Sequence, residues 1–173
     1  MKIIDLLLKE TEQEAQNTRK MFERVPNDKL DWQPHPKSMT IRQLAAHIAE
    51  LPSWIGIAIT TDELDFAKKP YQPVNINNTA ELSEYFEKNY EEGKAYLEST
   101  NEDILNQSWI MRNGDYIIMT RSKAEVIRVS ISQTIHHRAQ LGVYLRLLNI
   151  PIPGSYGPSA DELELQREMQ DQI

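Results

Sequence analysis

Apolar and polar side chains alternate along much of the chain with the period of an amphipathic helix. In the first segment the apolar or small positions recur every three or four residues with charged residues between them; these positions are Ile4, Leu7, Leu8, Thr11, Ala15, Thr18 and Phe22. This spacing places them on one face of a helix. The pattern predicts a first helix that ends before Pro26, because proline cannot continue a helix interior.

A second helix is predicted after a proline-containing loop at 31–38, which Trp32 is expected to anchor. Ser38 or Thr40 is the expected N-cap, since a hydroxyl there can accept a hydrogen bond from a free backbone amide. The inner face of this helix carries Ile41, Leu44, Ile48, Leu51 and Ile55. We expect Pro52 to kink it.

The hydrophobic period changes beyond the third predicted helix. That helix begins at about Thr79, its expected N-cap, after an expected loop from Asp62 to Asn78. Between Trp109 and Met119, the pair Asn113-Gly114 separates two apolar runs. An Asn-Gly pair between apolar runs is the strongest short-range signal of a β-hairpin. The sequence therefore predicts a small two-stranded hairpin at this point.

The fourth predicted helix is the longest periodic element and runs from a cap at Ser122 to Leu148. A short, highly charged terminal helix follows, with Ser159 as its cap. Long helices joined by loops favour antiparallel packing. We predict an all-α fold, an antiparallel four-helix bundle with a small β-hairpin before the last long helix, in one domain spanning 1–173.

Composition narrows the possible chemistry. There is no cysteine, so disulfides, thiolate metal ligands and a cysteine nucleophile are excluded. The formal net charge of -7 disfavours nucleic acid as a partner, because phosphate backbones require a basic face. No stretch approaches the roughly 20 apolar residues of a membrane span, and no signal peptide is evident. We expect a soluble, cytoplasmic protein without a membrane partner.

The chain contains only four histidines, and two of them fall on predicted inner faces. His47 shares the apolar stripe of the second helix. In the fourth helix one face carries Val126, Ser130, Gln133, His137, Leu141, Tyr144 and Leu148. Gln133 and His137 are therefore expected to project side by side into the bundle, whereas His136 lies about 100° further round.

Two inward polar groups one helical turn apart, opposite a histidine on another helix, are the arrangement with which bundles build metal sites. Buried polar groups need partners, and a metal ion would be one. The alternative is that His47 and His137 are separate core histidines satisfied by hydrogen bonds. Gln133, as a third polar group on the same face, favours the metal site over that alternative.

Three segments carry a resemblance to a known family: Leu44–Glu50, Ile135–Leu141 and Pro153–Asp161. Together they resemble the DinB family of DinB/YfiT-like metalloenzymes, and the likeness covers almost the whole chain. The resemblance implies a four-helix bundle that holds a divalent metal on three histidines, one in the second helix and two spaced by four in the last long helix. His47 matches the first of these and His137 the third.

The position of the middle family histidine is occupied by Gln133. An amide oxygen is a hard and weak donor beside imidazole, so a zinc or nickel site should lose affinity, and manganese or iron are further candidates. Three outcomes are open: Gln133 is a weak ligand, His136 replaces it, or metal binding has been lost.

Four further residues are candidates for contacts with the substrate or with the metal ligands. Glu50 could orient the His47 ring or face solvent, and Arg138 could bind an anionic substrate or thiol or pair with an acid. His35 could line the pocket mouth or lie on the surface. Tyr156 could cover the site or fasten the carboxyl-terminal segment to the bundle.

The resemblance implies a metal-dependent enzyme that acts on a small molecule, with a low-molecular-weight thiol as co-substrate in S-transfer or isomerisation. The alternative is a non-catalytic bundle whose metal site has degraded and which serves ligand binding or dimerisation. Relatives also form homodimers through bundle helices, and we expect the same here.

Overall fold

The computed structural model describes residues 2–171, and within them the molecule is mostly helical with one small sheet. The elements in chain order are α1 Ile3–Phe22, α2 Ile41–Glu50, α3 Ser53–Thr60, β1 Glu63–Asp65, α4 Thr79–Ser99, β2 Ser108–Asn113, β3 Tyr116–Ser122, α5 Lys123–Leu147 and α6 Ala160–Gln170. None of the helices in this part of the chain combines the length and apolar composition needed to cross a bilayer.

Side-chain caps define where most of these helices begin. Three predicted caps are confirmed, Thr40, Ser122 and Ser159. The side-chain oxygen of each accepts a hydrogen bond from the backbone N–H of the residue three positions later, and a capping box is formed. The cap of α4 is Asn78 rather than Thr79. Pro52 has a larger effect than a kink, because α2 ends at Glu50 and α3 starts at Ser53, so the predicted second helix is two helices.

The sheet has the order β1-β2-β3. The hairpin of β2 and β3 is antiparallel and confirms the Asn-Gly prediction, with Gly114 at a φ of 60° in the turn. The third strand, β1, pairs in parallel with β2. The expectation of a loop throughout 62–78 and of an otherwise all-α fold was therefore wrong at β1.

Helices α4 and α5 each pack against α1, α2 and α3. The buried apolar side chains form two clusters, one around Phe22, Leu44 and Leu141, the other around Leu7, Trp109 and Ile127. Along α1 and α5 the buried residues between these clusters are polar. They are Thr11, Glu14, Ser130, Thr134 and Arg138. A polar layer, defined by these five residues, thus separates the two apolar clusters.

Candidate functional site

His47 near the end of α2 and His137 in α5 lie side by side. Their ring centroids are 4.9 Å apart and the rings are inclined at 71°. The ring of His136 is also 4.9 Å from that of His137, so three imidazoles form a row with His137 at its centre. His47 and His137 are half-buried and His136 is exposed. The structure therefore brings together the two histidines predicted from sequence.

Hydrogen bonding and burial keep both rings of the pair in a form suited to ligation. The Nδ1 atom of His137 is 2.7 Å from Oε1 of Gln140. An amide oxygen only accepts, so the neutral ring that makes this contact donates from Nδ1 and has its lone pair on Nε2. Burial, and secondarily the neighbouring His137, lowers the pKa of His47, which favours its neutral form.

Gln133 does not project into the bundle as expected. Its side chain is exposed, one helical turn before the half-buried His137. The buried line of α5 instead passes through Ser130, Thr134 and Arg138, about one residue further round the helix. The predicted inner face was therefore wrong at Gln133, although Ser130 and Leu141 of that face are buried as expected. Whether Gln133 is a ligand stays a prediction.

The donor set of the pair suits a borderline or soft divalent ion but is incomplete by itself. Two neutral imidazoles are good ligands for zinc and nickel. Within residues 2–171, however, no group of three or more histidine or carboxylate side chains is arranged to hold a metal ion. A third protein donor would have to come from the Gln133 amide or from a changed rotamer of His136. The residues therefore fit a divalent metal ion in part: the two imidazoles are in place, and a third donor would have to move in.

His47 also forms part of the wall of a cavity of about 830 Å³. The cavity lies between α2, α3, the segment after β1 and the hairpin, and its wall includes Trp54, Phe66, Val74 and Ile118. Ligand sites are commonly cavities of a few hundred to about a thousand Å³ with apolar walls and a few polar groups. The imidazole of His47 is therefore in a position to contact a small molecule.

A second cavity of about 530 Å³ adjoins the first and shares Trp54, Phe66 and Tyr71 with it. Glu50 lies in the wall of this second cavity, where its carboxylate accepts a hydrogen bond of 2.7 Å from the Tyr71 hydroxyl. In the described part of the chain no hydrogen bond joins Glu50 to His47. Glu50 thus fixes Tyr71 between the two cavities.

Arg138 is buried in the polar layer and pairs with an acid, the second of the two roles considered for it. Its Nη2 atom is 2.5 Å from the Glu14 carboxylate, and Nη1 donates to the Thr18 hydroxyl at 3.2 Å. The Tyr156 hydroxyl lies 2.9 Å from the same carboxylate and 3.1 Å from Arg138. Tyr156 therefore fastens the carboxyl-terminal segment to the bundle.

His35 lies on the exposed loop, where its Nδ1 atom accepts from the backbone amide of Lys37, and it lines neither cavity. Sequence reasoning missed Glu14, Gln140 and the aromatic residues of the cavity. Two of these left a signal: Glu14 interrupts the apolar stripe of α1, and Gln140 follows His137 at a spacing that places both on one face.

Three likenesses to known proteins accompany this geometry. The Bacillus subtilis protein YrdA is 21% identical over 159 residues, which are 92% of this chain and 91% of YrdA. The crystal structure of a DinB-like protein from Bacillus subtilis superposes with a TM-score of 0.67 at 18% identity, over 87% of this chain and 96% of that one. A mycothiol-dependent maleylpyruvate isomerase superposes with a TM-score of 0.56 at 14% identity, over 82% and 61%.

At these identities the two structural likenesses show a common fold and leave the activity open. The family assignment rests on the sequence as a whole. The model of the DinB family matches residues 1–170, which is nearly the full length of the chain. This protein belongs to the DinB family.

Proposed function

We propose that this chain is a divalent-metal-dependent enzyme that acts on a small molecule bound beside His47. One observation carries the proposal: the imidazole of His47 lies both on the wall of the 830 Å³ cavity and 4.9 Å from the ring of His137. A ligating pair at the edge of a substrate-sized cavity is what metal-assisted chemistry requires.

His47 and His137 would hold the ion, with the exposed amide of Gln133 as the third donor and His136 as its substitute. Zinc or nickel suits the two imidazoles best, and manganese or iron would accept the amide oxygen more readily. When bound, the ion supplies Lewis acidity toward a substrate oxygen or a thiol sulfur.

The other residues of the site orient the metal-binding rings or line the cavity that would bind the substrate. The side chain of Gln140 accepts a hydrogen bond from Nδ1 of His137. This bond orients the ring so that the lone pair on Nε2 points away from Gln140. The apolar wall of the cavity, with Trp54 and Phe66, would exclude water from the reacting groups. The fold shared with a mycothiol-dependent isomerase supports a low-molecular-weight thiol as co-substrate, and we propose S-transfer as the reaction class.

The metal content of protein purified without an affinity tag tests this proposal. After incubation with zinc, nickel, manganese or iron, we expect about one ion per chain in wild type, and a loss of at least tenfold in affinity in His47→Ala and His137→Ala. His35→Ala is the matched control, since His35 is exposed and lines neither cavity. Absence of stoichiometric metal in wild type would overturn the proposal.

A second function, ligand binding without catalysis, is favoured by the exposure of Gln133 at the position of the family's middle histidine. Gln133→His discriminates the two functions. If the pocket is intact, the substitution should raise metal affinity by about tenfold or more, because an imidazole is a stronger donor than an amide oxygen. Unchanged affinity, together with metal-free wild type, would favour the non-catalytic function.

We further propose that the four long helical segments are arranged as an antiparallel four-helix bundle that forms a homodimer in the cytoplasm. Val143 and Leu147 on the outer edge of α5 are 59% and 58% exposed and are candidates for the interface. Light scattering after gel filtration should give a dimeric mass for wild type and a monomeric mass for the double variant Val143→Glu, Leu147→Glu. A monomeric wild type would remove this proposal.

A further inference from the structure

The wall of the larger cavity is mostly carbon. Apolar side chains from four parts of the chain line it: Met39, Ala46, Trp54, Phe66, Val74 and Ile118. An apolar wall binds hydrocarbon or aromatic groups, because each such group removed from water contributes favourably in proportion to its area. A wholly polar substrate, such as a small dicarboxylate, would leave most of this wall without a partner. The body of the ligand should therefore be apolar.

Among the residues that line this cavity, Arg42 is the one with a permanent charge. Its Nε atom is 3.1 Å from the Asp31 carboxylate, and Nη1 donates to the carbonyl oxygen of Ile76. These bonds hold the guanidinium in place on the wall. The side chain of Asp31 is 84% exposed, so water screens its charge. The side chain of Arg42 is only 22% exposed, so its charge is screened less.

The guanidinium of Arg42 has hydrogen-bonding capacity left. Between residues 2 and 171, no hydrogen bond involves its Nη2 atom, which can donate a charge-assisted hydrogen bond to a carboxylate. The other polar groups of the wall are the amides of Gln43, Asn75 and Asn113, the Tyr71 hydroxyl and the His47 imidazole. No carboxylate lies among the described residues that line the cavity, and Asp31, which pairs with Arg42, is outside them, so the fixed charge that a ligand meets on the wall is positive and favours a ligand with a single negative charge.

We infer that this cavity binds a monoanionic amphipathic molecule, a medium-chain or aryl carboxylate, with its carboxylate at Arg42 and its apolar body against Trp54 and Phe66. The inference rests on the proposed function, because it names the substrate class of the cavity beside His47. It requires no metal for binding, since the recognising groups are Arg42 and the apolar wall.

Calorimetric titration of the full chain in EDTA, with three probes of equal chain length, tests the inference. We expect octanoate to bind at least about fivefold more tightly than 1-octanol, and octylammonium to bind most weakly, because one charge-assisted hydrogen bond contributes about this much. Octanoate should also change the tryptophan fluorescence, and Trp54→Phe should reduce that change. Equal affinity for all three probes, or a preference for octanol, would overturn the inference.

Charge variants at one exposed wall position provide a test that does not depend on the Arg42 contacts. Val74 is 42% exposed, so both Val74→Lys and Val74→Glu should fold. Octanoate should bind more tightly to the lysine variant and more weakly to the glutamate variant, by a few-fold each. The same pair of substitutions at Leu165, which is 57% exposed on α6 and lines no part of the cavity, should change octanoate affinity little.

A third test removes the positive charge of Arg42 from the cavity wall. Arg42→Gln should abolish the preference for octanoate over octanol, while Arg128→Gln, an exposed arginine on α5, should keep it. Zinc uptake by wild type without any octanoate preference would overturn this inference and leave the proposed enzyme standing. A preference for octanoate in a protein that takes up no metal would support this inference and overturn the proposed metal-dependent enzyme.

Discussion

At the scale of single residues, the orientation of His137 depends on one hydrogen bond. Gln140→Leu removes the acceptor 2.7 Å from Nδ1, so the imidazole should no longer hold its proton on that nitrogen. The nitrogen chemical shifts of His137 in metal-free protein should show the Nδ1–H tautomer in wild type and a mixture in the variant. Affinity for zinc should fall by about tenfold or more.

Gln13→Leu is the matched control for this change, because Gln13 is exposed on α1 and, within residues 2–171, no hydrogen bond joins it to a histidine. It should leave both the nitrogen shifts and the zinc affinity unchanged. If Gln140→Leu keeps the Nδ1–H tautomer, the bond to Gln140 does not orient the ring.

The second prediction at the scale of single residues concerns the stability contributed by the buried ion pair of Glu14 and Arg138. Arg138→Met leaves the Glu14 carboxylate buried without its partner, and breaking a buried pair from one side costs about 3–5 kcal/mol. Adding Glu14→Leu removes the stranded charge and should restore most of the free energy of unfolding in denaturant titrations. Arg128→Met, at an exposed position of the same helix, should change stability by less than about 0.5 kcal/mol. A double variant as unstable as Arg138→Met would contradict this.

At the scale of elements, α4 approaches the turn between α2 and α3 closely at Gly93. A Cβ atom added there would lie 2.3 Å from the carbonyl oxygen of Pro52, which is backbone and cannot rotate away. At Gly142 in α5, the nearest atom would be the flexible end of Met21 at 3.4 Å. The two helical glycines therefore differ in what they can accommodate.

Replacement by alanine should act in opposite directions at these two positions. Gly93→Ala should destabilise the protein by about 2 kcal/mol or more, since overpacking outweighs the gain of about 1 kcal/mol in helix propensity. Gly142→Ala should be neutral or stabilising by up to about 1 kcal/mol. Thermal and denaturant unfolding of both variants measure this, and similar effects at both positions would show that the contact with Pro52 is unimportant.

Elements with local signals were predictable from sequence, and the exceptions are non-local. The caps Thr40, Ser122 and Ser159 and the Asn113-Gly114 turn each depend on residues within a few positions. The three-residue strand β1 has no periodicity of its own and exists because it pairs with β2, more than 40 residues later. Short-range patterns cannot reveal such a pairing.

At the scale of the whole molecule, the carboxyl-terminal helix depends on polar contacts. No side chain of α6 is buried, and Asp161 connects the helix to the bundle through two bonds to Arg146 and one to the amide of Ile152. The bond to Arg146, and then that to Ile152, lowers the pKa of Asp161 to about 2 from an ordinary 3.8. The contact is therefore sensitive to acid.

A carboxylate whose pKa is lowered on folding stabilises the protein fully above its unfolded value and loses that contribution as pH falls toward the folded one. Asp161→Asn should thus be less stable than wild type at about pH 6, and the difference should shrink between about pH 4 and pH 2. Denaturant midpoints across this range measure it. Asp115→Asn, at an exposed carboxylate in the hairpin turn, is the control, and a pH-independent difference at Asp161 would contradict the expectation.

The candidate site was only partly predictable, because its parts come from distant segments. The spacing of residues predicted that His47 and His137 would meet, and they do. The exposure of Gln133 was not predictable, because the neighbouring face of α5 is buried through Arg138, whose burial depends on Glu14, 124 residues earlier in the chain. The cavity depends on how the segment after β1 lies across α2, and no local pattern specifies that.

The polar layer also limits how α1 and α5 can align. If one helix slid along the other by a turn, about 5.4 Å, many apolar contacts could re-form, but Glu14 and Arg138 would each stay buried without the oppositely charged partner. Two stranded charges make such a shifted packing costly, so the pair selects one alignment among those that the apolar stripes alone would allow. The selected alignment is the one that brings His137 beside His47, which makes an ion pair in the core responsible for the geometry of a site at the edge of the cavity.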